Sequence, residues 1–68
     1  MNDNALADSA RRIRMAAQEM EAESQVFLNP RRPEYATWAR ERYFKAASRV
    51  VSEARKIANE MGWRSANV

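Results

Sequence analysis

Arginine is the residue with most chemical potential in this chain. Twelve basic residues stand against nine acidic ones, for a net charge of +3, and only Lys45 and Lys56 are lysines. Arg42, Arg49 and Lys56 recur at sevenfold spacing, with Lys45 and Arg55 nearby, and Arg11, Arg12 and Arg14 cluster in the first half. A guanidinium is a planar fork that matches carboxylate or phosphate in two contacts at once. One reading is therefore a phosphate-contacting surface for RNA or DNA built from Arg11, Arg12, Arg14, Arg42, Arg49 and Lys56. The competing reading is ion pairing along a folded-back chain. Folding at the prolines places Glu19 opposite Arg42 and Glu23 towards Arg40, which favours pairing, while Arg12 falls near Arg49.

A second group surrounds the segment Asn29-Pro30-Arg31-Arg32-Pro33. Phe27, Tyr35, Trp38, Tyr43 and Phe44 crowd towards it, and Arg31 and Arg32 project from it. Aromatic rings beside Arg are the composition of protein-interface hot spots. Phe27, Tyr35 and Trp38 would equally serve to plug the end of a helical bundle. Trp38 lies off the main apolar stripe of its segment, so it is the strongest single candidate for a partner contact.

Catalysis has little to work with. The chain has neither Cys nor His. Ser9, Ser24, Ser48 and Ser52 lack an imidazole base, and Glu19, Glu21 and Glu23 form no Glu-x-x-His metal motif. The expectation is a protein that is not an enzyme, with no metal and no cofactor.

Two elements must position these groups. Leu6, Ile13, Met20 and Phe27 recur every seven residues, with Ala10, Ala17 and Ser24 four residues behind. Ala36, Tyr43, Val50 and Ile57 repeat the pattern, with Ala47, Ala54 and Met61 behind the last three. Sevenfold apolar spacing marks helices packed along a shared seam. The fold class predicted is all-α, a helical hairpin forming a single domain over 1–68, with helix 1 over about 4–28, a turn at 29–32, helix 2 over about 33–61 and a tail at 62–68. Asn2 to Asn4 offer an N-cap, and the prolines stop one helix and start the next. Gly62, the one glycine, suits a left-handed helix stop, with Trp63 folding back on Ile57 or Ala58. The core expected is Leu6, Ile13, Met20, Phe27, Tyr43, Val50 and Ile57.

Sixty-eight residues in two helices bury too little for a secure monomer. Helix 2 also has a wider apolar face than one seam needs, adding Phe44, Val51 and Ala58. Both points predict a homodimer forming a four-helix bundle. The polar N-terminus resembles no signal peptide, and no apolar run approaches the roughly 20 residues of a membrane span. No membrane partner and a cytoplasmic location are the expectations.

The stretch Ile57-Ala58-Asn59-Glu60-Met61-Gly62-Trp63-Arg64-Ser65-Ala66-Asn67 resembles the helix–turn segment of the winged-helix domain in SOS-response repressors. That family's recognition helix would begin here, where the sequence reaches Val68. No groove contact of that kind is expected, and Gly62 reads as a helix stop. In size and plan the hairpin is similar to plasmid copy-number RNA-binding hairpin dimers and to small phage-encoded inhibitors, a likeness of architecture alone. The function expected is a small regulator or inhibitor, of the phage-encoded kind, that binds a larger protein through Arg31, Arg32, Tyr35, Trp38, Arg42 and Arg49. The alternative is nucleic-acid binding through the arginine-rich flank.

Overall fold

The computed structural model describes residues 3–62. Two helices, α1 (Asp3–Leu28) and α2 (Pro33–Glu60), fold back on each other as an all-α hairpin. α1 is already helical at Asp3, so a cap at Asn2 lies outside the described residues, as do Trp63 and the rest of the tail.

The turn follows from its prolines. The Asn29 amide donates to the Gln25 carbonyl at 3.3 Å and closes α1. Arg32 is extended, with φ −137° and ψ 147°, as a residue before proline should be. Pro33 then opens α2, where its missing N–H is no loss. At the far end the Met61 and Gly62 amides bond back to Ile57 and Asn59 at 3.0 and 3.1 Å. Gly62 has φ 79°, a left-handed conformation that costs a side-chain-bearing residue strain.

The seam differs from the one the apolar pattern predicts. Residues three behind the large ones are buried, not those four behind. Ser9 and Ala16 are buried in α1, and Ala39, Ala46 and Glu53 in α2, whereas Ala10, Ala17, Ala54 and Met61 are exposed. In a helix, i+3 and i+4 flank residue i on opposite sides, about 60° and 40° away. Hydropathy could not choose between them because the buried line contains Ser9 and Glu53. Leu6, Ile13, Met20, Phe27, Tyr43, Val50 and Ile57 border this line, and each is only half-buried. The small residues let the helices meet closely, and the large ones close over them from the side.

Among the described residues, the buried apolar side chains are three alanines, Ala16, Ala39 and Ala46. Phe44, Val51 and Trp38 stay exposed, at 65, 48 and 48%. The molecule measures 46 × 27 × 12 Å, the thickness of a single helix layer. No helix is long and apolar enough to cross a membrane among the described residues.

Ala46 tests the close seam, since its exposure is zero. Ala46→Leu should force the helices apart and cost about 1–3 kcal/mol, read from the midpoint of a urea melt. A conventional wide seam would instead accept the larger side chain and gain stability.

Candidate functional site

Three ion pairs tie α1 to α2. Arg12 Nε donates to Glu53 Oε1 at 2.7 Å, Arg42 Nε donates to Glu23 Oε2 at 2.9 Å, and Arg49 pairs with Glu19. The register predicted from the prolines is therefore corrected by about one helical turn. Glu19 meets Arg49 and not Arg42, Glu23 meets Arg42 and not Arg40, and Arg12 meets Glu53 in place of a repulsive Arg49. Arg40 instead lies over the Phe27 ring, 5.8 Å from its centre, and Phe27 meets Tyr43 edge-on at 5.4 Å.

This pairing decides how much free positive charge the basic flank holds. Of the six side chains proposed to contact phosphate, five have a carboxylate within reach. Arg12 and Lys56 share Glu53, Arg42 takes Glu23, Arg49 takes Glu19, and Arg11 takes Asp8 at 3.4 Å. Arg14 alone of the six is exposed without an ion pair among the described residues. Arg42 and Arg49 keep more than half of their side-chain surface in water. Such exposed pairs each contribute about 0.2–1 kcal/mol, so they define register more than they stabilise.

Glu53 is the exception. It is buried at the seam, beside Ser9, and receives Arg12 through Nε and Nη2 and Lys56 through Nζ. The Arg12 hydrogen bond, the Ser9 hydroxyl and the neighbouring cations hold its carboxyl below the ordinary carboxylate range, against a burial effect that acts the other way. The same bond raises Arg12, which stays charged throughout. Reading by apolar spacing missed Ser9 and Glu53 altogether. The available signal was their place in sevenfold series with Ala16 and with Ala39 and Ala46.

At the turn, Tyr35 and Trp38 stack at 5.5 Å with their planes inclined by 35°. Tyr35 is half-buried and Trp38 half-exposed. Arg31 and Arg32 are exposed beside them, with Glu34 4.0 Å from Arg32. Trp38 is more exposed than Phe27, which is half-buried against Tyr43 and Arg40. Tyr35, Trp38, Arg42 and Arg49 follow a spacing that keeps them on one face of α2, so the partner-contact residues proposed from sequence fall on a common surface.

No protein family, curated protein or solved structure matches this chain. Among the described residues no group of three or more Asp and Glu is placed to hold a metal ion.

A pH prediction follows from Glu53. In the folded chain it stays ionised at a pH where the unfolded chain has already protonated it, so its contribution is full above the ordinary carboxylate range. It disappears as pH falls through the lower folded value. Thermal melts from neutral to strongly acidic pH should show Glu53→Gln less stable than wild type at neutrality, with the gap closing in acid. A gap independent of pH would remove the ion pair as the cause.

Proposed function

We propose that this protein is a small non-enzymatic regulator that binds another protein through the turn end of the hairpin. One observation carries the reading. Trp38 stands half-exposed on Tyr35 beside Arg31 and Arg32, at the end of a rigid helical pair, while the arginines along the flank are occupied by carboxylates. An exposed Trp–Tyr pair with neighbouring Arg supplies the apolar area and the directed hydrogen bonding of an interface anchor. Arg42 and Arg49 extend the same face along α2 and remain accessible at its edge. The partner this chemistry suits has an apolar pocket for the indole and carboxylates at its rim.

Phosphate contact through Arg12, Arg42 and Arg49 would bring a polyanion beside Glu53, Glu23 and Glu19, which already hold these cations, at an electrostatic cost. That cost favours protein over nucleic acid as the partner.

Trp38→Ala tests the site. Its melt should fall by less than about 1 kcal/mol, as for other partly exposed positions. Bait carrying the substitution should lose a nuclease-resistant protein that wild-type bait and Arg14→Ala bait both retain from lysate. Retention that vanishes with nuclease, and direct RNA or DNA binding that weakens steeply with salt, would replace this reading with the nucleic-acid one.

A further inference from the structure

α2 carries a second apolar line that α1 does not cover. It runs Phe44, Ala47, Val51, Ala54, Ala58 and Met61, at alternating spacings of three and four. Phe44, Val51, Ala54 and Met61 are exposed, and Ala47 and Ala58 are half-exposed. At about 100° per residue this line and the Arg42–Arg49–Lys56 line lie on opposite sides of the seam. The interhelical ion pairs fix which side of α1 matches. Arg12 and Glu19 turn towards the α2 arginine side, so the exposed Ala10 and Ala17 share the flank with Phe44 and Val51. One flank of the hairpin is salt-bridged, and the other is mainly apolar, with Arg14, Glu21 and Arg55 along its rim.

We infer that a second copy of this chain covers that flank, with α2 packed antiparallel on α2 of its partner about a two-fold axis level with Ser52 and Glu53. Two observations select this occupant. First, the line is a palindrome. About that point Phe44 faces Met61 of the partner copy, Ala47 faces its Ala58, and Val51 faces its Ala54, so every position meets an apolar one. A two-fold interface needs this self-complementarity, which an unrelated partner does not.

Second, the line allows few other registers. Arg40 occupies the next position of the series before Phe44. Sliding by one heptad in that direction sets Arg40 against Ala58, and sliding the other way leaves Phe44 uncovered.

The same axis brings α1 beside its own copy through Ala10 and Ala17, which gives a square four-helix bundle with antiparallel neighbours throughout. Trp38 and Tyr35 point away from this interface, so it is independent of whatever the turn end binds.

The native chain has no cysteine, which permits a direct test. Ala47→Cys and Ala58→Cys are prepared separately in the full chain and oxidised alone and mixed. A mixed disulfide dimer should form, with at least tenfold less product from either variant alone, because Ala47 and its copy are about 16 Å apart along the axis. Self-linking of Ala47→Cys as strong as in the mixture denotes parallel pairing and overturns the inference, as does the absence of any linked product. Wild-type sedimentation supplies a readout free of substitution. A two-chain mass at micromolar concentration is expected, and a helical species of single-chain mass would overturn the proposal.

Discussion

The close approach of α1 and α2 along Ala16, Ala39 and Ala46 is the constraint from which the other features follow. Because the side chains at the centre are small, the helices bury little apolar surface per residue. The larger side chains are pushed to the borders of the seam and remain partly wet. At about 25 cal/mol per Å², the three alanines supply little of the apolar burial, and most of it comes from the half-buried side chains along their borders.

Charge then does what apolar bulk does not. A seam of alanines is nearly featureless along its length, and a slip of one heptad would place similar surfaces together. Because Arg42, Arg49 and Lys56 are themselves seven apart, a slip of one heptad can re-pair Glu19 or Glu23 with the next cation, and the pair it breaks without replacement is Arg12 on Glu53. Glu53 contributes most to this selection. It is buried, and a buried carboxylate without its partners is costly. Most of the arginines that look like a binding surface in the sequence are engaged in ion pairs within the hairpin.

Much of this was legible in the residues. The two helices, the turn at 29–32 and the stop at Gly62 follow from proline, glycine and sevenfold spacing, and these signals are local. Which side of each large residue faces the neighbouring helix was not legible, because Ser9 and Glu53 interrupt the apolar pattern where it is most buried. Register was misread for a related reason. It depends on the path of the whole turn and on the reach of the long Arg and Glu side chains, neither of which residue spacing carries. For the turn-end group, the sequence placed Trp38 off the seam, and its half-exposed position beside Tyr35 agrees.

The short proline-bounded turn also shapes how the chain acquires its structure. Contacts near it, such as Phe27 with Tyr43, close a small loop, whereas Arg12 with Glu53 closes a much longer one. Loop-closure entropy rises with separation, so pairing that starts beside the prolines and advances outward meets the least resistance at each step. Loop closure by itself therefore favours a zipper that begins at the prolines and reaches Ser9 and Glu53 last.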